Sequence, residues 1–199
     1  MGQRFCESGC MALPFLDVEG FLAHLRAGGV GVIPTDTVPG MVALPDYAEA
    51  IYTLKGRDRD KPLILLGDSS QDLRLFTRGW LPAWATLANR GWPGALTLVL
   101  PASDRVSAQI HRGQETIGVR IPNHAEARAL LARSGPLVST SVNPSGTPAL
   151  LTPEDIHAAF PDLPLLVGTY AGSGTASTVV RWRESEWSWE ILRQGSFRV

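Results

Sequence analysis

Residues 29–44 read GVGVIPTDTVPGMVAL, which is two short apolar runs on either side of a polar loop. The first run ends at Pro34 and the second starts at Met41, so the pattern predicts a strand, a loop and a second strand. A connection this short leaves no room for the helical crossover that parallel strands need. This segment and others like it predict a sheet that mixes parallel and antiparallel strands.

The rest of the chain alternates between helical and extended patterns. Apolar residues at helical spacing predict helices over 17–26, 46–55, 72–76, 84–90 and 125–133, with another that starts at Thr152. Short apolar runs predict further strands over 62–66, 95–100, 116–121, 136–142, 165–167, 177–181 and 187–192. We therefore predict one α/β domain over 16–199, with a mixed sheet flanked by helices, after a flexible N-terminal segment over 1–15.

Composition indicates a globular chain with little charge. Its 199 residues are 44% hydrophobic and 19% charged, with a formal net charge of −1. A chain of this charge has no global field that attracts nucleic acid, so RNA binding would have to be local. No apolar run approaches the roughly 20 residues that cross a bilayer, so we expect a cytoplasmic protein without membrane contact. Cys6 and Cys10 lack zinc-ligand spacing and are expected to be free thiols.

The sequence lacks the motifs of several common enzyme classes. It has no GxxxxGK[ST] phosphate loop, and the GSG at 172–174 is only a fragment of a dinucleotide-binding fingerprint. Its four histidines are scattered, without HExxH spacing and without a GxSxG elbow. A metallohydrolase or a serine hydrolase is therefore disfavoured.

Two polar clusters in the first third of the chain are candidates for chemistry. Thr35, Asp36 and Thr37 follow a strand, where they could bind a ligand or form an ordinary turn. The stretch KGRDRDK at 55–61 holds four cations and both lysines of the chain. Such a loop could neutralise a triphosphate during phosphoryl or nucleotidyl transfer, or it could be a solvated surface.

A third cluster, STSVN at 139–143, ends a predicted strand. Alternation along the strand places Ser139, Ser141 and Asn143 on one side, with Val138, Thr140 and Val142 on the other. Hydroxyls and an amide cost free energy when they are buried without partners, so a row of them suggests the wall of a polar ligand site.

Seven motifs together resemble the YrdC-domain family, in its order and with about its spacing. They are PTDTVPG at 34–40, KGRDRDKPL at 55–63, WPGALT at 92–97, GVRIP at 118–122, STSVNPSG at 139–146, STVV at 177–180 and ILRQG at 191–195. The resemblance covers about residues 20–195, and the chain is most similar to the short bacterial form, the TsaC type. It implies a YrdC-like fold with a concave nucleotide-binding cleft.

The resemblance also implies an enzyme activity. Members of this type are threonylcarbamoyl-AMP synthases, nucleotidyltransferases that make threonylcarbamoyl-AMP and pyrophosphate from L-threonine, bicarbonate and ATP. The product serves the t6A modification of tRNA, so a transient contact with a tRNA-modifying complex and with tRNA is expected. Mg²⁺ would enter with ATP, without a dedicated protein ligand.

Site residues carry over from the matching motifs. The KxR and SxN pairs predict the catalytic, phosphate-holding residues Lys55, Arg57, Ser141 and Asn143. Further ATP-binding positions match Arg59, Thr116 and Arg193, and the threonine-binding positions match Thr35, Arg120, Ser139 and Ser177. Arg120 is chemically suited to hold the amino-acid carboxylate with two parallel hydrogen bonds.

Departures from the family pattern leave alternatives open. Pro39 stands where many members have an aromatic residue, Asp58 where Pro is usual, Leu66 where longer members often have His, and Ala176 where Glu is common. An RNA-binding or catalytically degenerate module is the main alternative. A large hydrogenase-maturation carbamoyltransferase is disfavoured by the chain's length and its two cysteines. Trp182, Trp187 and Trp189 are expected in the core, with a contact surface as the alternative.

Overall fold

The computed structural model describes residues 13–199 and contains one ten-stranded sheet. Its strands are β1 (Phe15–Leu16), β2 (Gly31–Ile33), β3 (Gly40–Ala43), β4 (Ile64–Leu66), β5 (Leu96–Pro101), β6 (Thr116–Arg120), β7 (Leu137–Ser141), β8 (Leu165–Leu166), β9 (Thr178–Arg183) and β10 (Ser188–Arg193). They lie in the order β1-β8-β2-β3-β7-β4-β6-β5-β9-β10. Near the centre of the sheet, β2 and β3, β3 and β7, and β7 and β4 pair in antiparallel orientation. Strand β4 pairs with β6 in parallel orientation. The predicted mixed sheet is confirmed.

Seven helices connect these strands within the described part of the chain. They are α1 (Val18–Arg26), α2 (Ala48–Lys55), α3 (Ser70–Arg74), α4 (Pro82–Gly91), α5 (Ala108–His111), α6 (Ala125–Ser134) and α7 (Pro153–Ala159), and a 3₁₀ turn (Pro45–Tyr47) precedes α2. Local signals explain their ends. Asp17 accepts the amide of Gly20 at the start of α1, and Gly56, in the left-handed conformation, ends α2.

The N-terminal predictions meet the structure only in part. Residues 1–12 of the flexible segment predicted over 1–15, which include the predicted free thiols Cys6 and Cys10, lie outside the described residues. Phe15, which we had placed in that segment, lies in β1 and pairs with Leu165 of β8. The strand β1 and the helix α5 were not predicted, because two and four residues are too short for a period to be read.

The two faces of the sheet carry separate hydrophobic cores. The smaller core joins Phe21, Leu22 and Leu25 of α1 with Leu130 and Leu131 of α6 and covers the end of the sheet near β1. The larger core lies on the opposite face, against α2, α4, α5 and α7. Strand β5 shows the alternation, since Leu96, Leu98 and Leu100 enter the larger core while Thr97 faces the other way. Helices α1 and α6 therefore leave the sheet open over β5, β6 and β9, which is where the site lies.

All six tryptophans of the chain belong to one aromatic chain of contacts. Edge-to-face pairs join Trp84 to Trp182 and Trp182 to both Trp187 and Trp189, and Trp80 contacts Trp84 and Trp92. Trp182 is buried and Trp189 packs against the core as expected. The prediction for Trp187 is wrong, because its side chain is 72% exposed at the turn between β9 and β10.

In the described residues, no helix combines the length and the apolar character that a membrane crossing requires.

Candidate active site

A cavity of about 380 Å³ lies on the open face of the sheet. Strands β3, β4, β5, β6, β7 and β9 supply its floor, and the loops that follow β2, α2 and β7 supply its walls. Eight of the eleven predicted site residues line it: Thr35, Arg57, Arg120, Ser139, Ser141, Asn143, Ser177 and Arg193. Thr37, Thr97, Thr140 and Thr147 add further hydroxyls.

The buried end of the cavity is built around Arg120, at the end of β6. Its Nη1 donates to Thr37 Oγ1 at 2.8 Å, its Nη2 to Asp36 Oδ1 at 2.6 Å, and its Nε to Gly94 O at 2.9 Å. Thr35 Oγ1 lies 3.0 Å from Thr37 Oγ1. We call Thr35, Asp36, Thr37 and Arg120 the Arg120 cluster. The sequence left Asp36 and Thr37 open as ligand-binding or turn residues, and the family motifs assigned them no specific role.

Two electrostatic effects act on Arg120 in opposite directions. Burial lowers the pKa of the Arg120 guanidinium, and the Asp36 carboxylate counteracts that shift by charge and by hydrogen bonding. Three of the five guanidinium N–H groups have protein partners, which leaves one on each terminal nitrogen. Because Arg120 lines the cavity, those two donors are available to an anionic ligand.

A glycine loop closes over the Arg120 cluster. The amides of Ser173 and Gly174 donate to the carbonyls of Asp36 and Thr37, both at 3.0 Å. A Cβ on Gly172 would lie 2.4 Å from Thr37 O and 2.6 Å from Thr35 O. Only glycine permits this approach, so the GSG segment is a packing element of this site and no part of a dinucleotide fold.

Ser177 and Arg193 form the side of the cavity next to β9. Arg193 donates through Nε to Ser177 O at 3.0 Å and through Nη2 to Ser177 Oγ at 3.3 Å. Ser177 Oγ also lies 2.8 Å from Thr97 Oγ1 on the neighbouring strand. Burial lowers the pKa of Arg193, and its Nη1 group has no partner among the described residues.

Lys55, the last residue of α2, reaches the end of β7 from behind the cavity. Its Nζ donates to Ser141 O at 2.5 Å, to Asn143 Oδ1 at 3.0 Å and to Thr140 Oγ1 at 3.2 Å. Ser141 Oγ donates to the same Asn143 oxygen at 2.7 Å. Lys55 does not line the cavity, but it fixes three residues that do. Thr140 was expected on the opposite face; it lines the cavity as well.

Burial lowers the pKa of the Lys55 ammonium from 10.5 to about 8, and the neighbouring Arg57 charge adds to the shift. Arg57 itself is held by two carbonyls, with Nε on Lys61 O at 3.2 Å and Nη2 on Pro62 O at 2.9 Å. Arg57 lines the cavity, and its Nη1 group has no hydrogen-bond partner among the described residues.

Two predicted residues lie away from this cavity. Arg59 forms an ion pair with Glu49 of α2, and its side chain is 64% exposed. Thr116 begins β6, four residues before Arg120, and lines a second cavity of about 370 Å³ farther along the same face of the sheet. Sequence spacing could not reveal the ion pair between Arg59 and Glu49, because the two residues belong to different elements.

The lining also includes three of the four positions that depart from the family pattern, namely Pro39, Leu66 and Ala176. Among the described residues that line the cavity, none is Asp, Glu, His or Cys. The cavity therefore offers cations, hydroxyls and amides, which suit the binding and positioning of anions, and it lacks the side chains of a nucleophile–base pair.

Known proteins that are similar to this chain point to one family. The family model described as "Telomere recombination", for Sua5, YciO and YrdC proteins, matches residues 23–195. A threonylcarbamoyl-AMP synthase of Halorhodospira halophila is 41% identical over 127 residues, which is 62% of this chain and 66% of the relative. A protein of the same name from Pseudomonas putida is 32% identical over 168 residues, which is 82% of this chain and 91% of the relative.

Solved structures give the same result. Sua5 of P. abyssi in complex with L-threonine superposes with a TM-score of 0.85 at 30% identity, covering 91% of this chain and 57% of that one. E. coli YciO shares the fold, with a TM-score of 0.80 at 22% identity and coverage of 92% and 94%. With a family model over most of its length and a relative matched over nine-tenths of that relative's sequence, the chain belongs to the Sua5/YciO/YrdC family.

Proposed function

We propose that this protein is a threonylcarbamoyl-AMP synthase, which forms threonylcarbamoyl-AMP and pyrophosphate from L-threonine, bicarbonate and ATP. One observation carries the proposal: a single cavity joins the buried Arg120 cluster to a second cationic side built from Arg57 and Arg193. Such a cavity can hold two anionic substrates next to each other. Relatives that bear the name of this activity support it.

The threonine end of the proposed site is the Arg120 cluster with Ser139 and Ser177. The two free N–H groups of Arg120 suit the two oxygens of an amino-acid carboxylate. Ser139 and Ser177 supply hydroxyls for the amine and the side chain. The Thr35 hydroxyl donates to Val38 O at 2.7 Å and accepts the amide of Thr37 at 3.1 Å, so Thr35 shapes this end by holding the loop around Thr37. Apart from the partly exposed Asp36, the side chains of this end are buried, so the threonine end excludes much of the competing water.

The nucleotide end comprises Arg57, Arg193 and the Lys55-supported pair Ser141 and Asn143. Arg57 and Arg193 have unused N–H groups that can bind phosphate oxygens. Lys55 acts here through its charge and by fixing the SxN strand end. Arg59 contributes only if it leaves Glu49, and Thr116 only if the nucleotide extends along β6 toward the second cavity.

The proposed chemistry is an in-line displacement. The amine of threonine takes up CO₂ derived from bicarbonate and loses a proton, which gives a carbamate. A carbamate oxygen then attacks the α-phosphorus of ATP, and the bond from that phosphorus to the pyrophosphate oxygen breaks. Arg57 and Arg193 stabilise the charge that builds on the leaving pyrophosphate, so positioning and electrostatics supply the catalysis.

Mg²⁺ has no evident protein ligand at this site. Mg²⁺ prefers carboxylate and water oxygens, and the described lining residues include no carboxylate. We therefore propose that it enters on the phosphates of ATP, and no step of the mechanism is routed through it.

The chemistry of the product indicates which partners the proposed enzyme needs. A mixed anhydride of a carbamate and a phosphate is reactive, so it must pass promptly to the enzyme complex that places it on tRNA. A transient contact with that complex and with tRNA follows, in the cytoplasm, where tRNA is modified. Bicarbonate is the third substrate.

The test is pyrophosphate release by the purified protein from ATP and Mg²⁺. We expect release that requires both L-threonine and bicarbonate, with serine as the substrate control, and a product with the mass of threonylcarbamoyl-AMP. Folded protein that binds ATP but releases no pyrophosphate would refute the proposal and favour an RNA-binding or degenerate role. RNA binding would then be measured directly.

A further inference from the structure

Asp36 does not line the cavity, yet it organises the buried end of it. Its Oδ1 accepts from Arg120 Nη2 at 2.6 Å and from the amide of Asn123 at 2.9 Å. Its backbone carbonyl accepts the amide of Ser173 at 3.0 Å. One residue thus ties together the loop after β2, the end of β6 and the glycine loop at 171–174.

The charge of Asp36 matches a specific need of Arg120. A buried guanidinium requires a counter-ion, because its desolvation is costly. Asp36 is the acidic partner of Arg120, and the described lining of the cavity offers no other carboxylate. Thr37 and Gly94 hold two further N–H groups, so the guanidinium plane is fixed from three directions.

We propose that Asp36 is a positioning residue, which sets the orientation of the Arg120 guanidinium and thereby the affinity for L-threonine without touching the substrate. The inference rests on the proposed function, since it names threonine as the ligand of Arg120. Loss of the carboxylate charge removes the counter-ion of the buried guanidinium and weakens one of its three anchors, so its two free donors present a less closely fixed pair to the substrate carboxylate.

The variant Asp36→Asn tests this role, because it keeps the shape of the side chain and removes its charge. We expect the Kd for L-threonine, measured by calorimetry on the ATP-free protein, to rise by about 10- to 100-fold, as for other small misplacements of a binding group. The KM for ATP should stay within about twofold, since no nucleotide-side residue contacts Asp36 in the described structure. Asp68→Asn is the matched control, because it removes the charge from a similar hydrogen bond, which Arg128 Nε donates to Asp68 Oδ1 at 2.7 Å outside the cavity.

A double variant separates positioning from general structural damage. If Asp36 acts through Arg120, adding Asp36→Asn to Arg120→Ala should weaken threonine binding no further. Additive losses would overturn the inference, as would equal increases in the threonine Kd and the ATP KM. If Asp36→Asn does not fold, Asp36→Glu replaces it; the extra methylene shifts the guanidinium, so unchanged threonine affinity there would also overturn the inference.

The measurements distinguish an error in the proposed function from an error in the role of Asp36. Wild-type protein that neither binds L-threonine nor releases pyrophosphate removes both the function and this role for Asp36. Wild-type protein that does both, while Asp36→Asn binds threonine normally, removes only the role for Asp36.

Discussion

The two ends of the cavity are built differently. At the threonine end, Thr35, Thr37 and Arg120 are at most 5% exposed and hydrogen-bonded to one another. At the nucleotide end, Arg57 and Arg193 are anchored mainly to backbone carbonyls, and Arg59 lies outside on Glu49 with most of its side chain exposed. The first end is preformed, whereas the second can adjust.

This difference suits the two proposed substrates. A small amino acid offers few contacts, so its site must be ordered in advance if binding is to be selective. A triphosphate carries several charges and can draw flexible cations toward it, at the cost of ordering them. We therefore expect substitutions at the threonine end to affect threonine alone and to lower stability, and substitutions at the nucleotide end to affect ATP with little change in stability.

The largest effect is expected for Arg120→Ala. The kcat/KM for threonine should fall on the order of 1,000-fold, because the carboxylate loses a buried charged partner. The free energy of unfolding should drop by about 3 kcal/mol, since Asp36 keeps its charge without its partner. Threonine titrations at saturating ATP and urea denaturation measure the two effects, with Arg133→Ala, which removes a surface ion pair to Glu19, as the control. An equal loss of ATP affinity would break the division between the two ends.

Arg57→Ala tests the other end. The kcat/KM for ATP should fall by about 100-fold, the usual effect of removing one donor that stabilises developing charge. The threonine Kd and the free energy of unfolding should change little, because the hydrogen bonds of Arg57 in the described structure go to two carbonyls of its own loop. Steady-state kinetics with ATP varied gives the result, and Arg105→Ala, which changes an exposed arginine outside both cavities, is the comparison. A large loss of stability would show that Arg57 is a structural residue instead.

The two ends of the cavity should also differ in their response to pH, with a smaller effect than that of the two substitutions. The pKa of Lys55 is lowered to about 8 in the free protein, so its ammonium is charged below that pH and loses its proton above it. An anionic nucleotide prefers the charged form, so the KM for ATP should rise as the pH increases through about 8. ATP in turn raises the pKa of Lys55, so kcat at saturating ATP should hold to higher pH. The Lys55→Gln variant should bind ATP weakly, and its KM for ATP should show no inflection between pH 7 and 9. An inflection that remains in this variant would exclude Lys55 as its source.

The smallest effect is expected for Glu49→Gln. This change releases Arg59, which the family resemblance assigns to ATP, and the KM for ATP should fall by about two- to threefold. Arg112 also pairs with Glu49, so a small loss of stability should accompany the change. Glu19→Gln removes a comparable surface pair and should leave the KM unchanged. A higher KM for ATP in Glu49→Gln would contradict this prediction and would mean that the ion pair between Arg59 and Glu49 favours ATP binding.

Local patterns were sufficient to predict most of the fold. Alternation along β7 correctly sends Val138 and Val142 into the larger core and Ser139 to the cavity. The short loop at 35–37 correctly indicates antiparallel neighbours, because loop length limits the connection. Phe15 and Trp187 were misplaced, since their environments depend on pairing with β8 and on the shape of a turn.

The site was harder to predict wherever it depends on contacts between distant segments. Motif resemblance pointed to Arg120 and Thr35, but the ion pair from Arg120 to Asp36 joins residues 84 positions apart and carries no local signal. The sequence places Lys55 in a stretch of cations but does not show that its side chain is buried. It packs against Ser141 and Asn143, because the last residue of α2 reaches the end of β7. The preference of Arg59 for Glu49 likewise exists only in the folded chain.

The most direct test is a pair of crystal structures, one of the free protein and one with L-threonine and a non-hydrolysable ATP analogue. We predict that the threonine carboxylate binds Arg120, that the bonds from Arg120 to Asp36 and Thr37 are unchanged, and that Arg57 moves onto the phosphates. Threonine bound elsewhere, or an Arg120 guanidinium that leaves Asp36 on binding, would contradict a preformed threonine end.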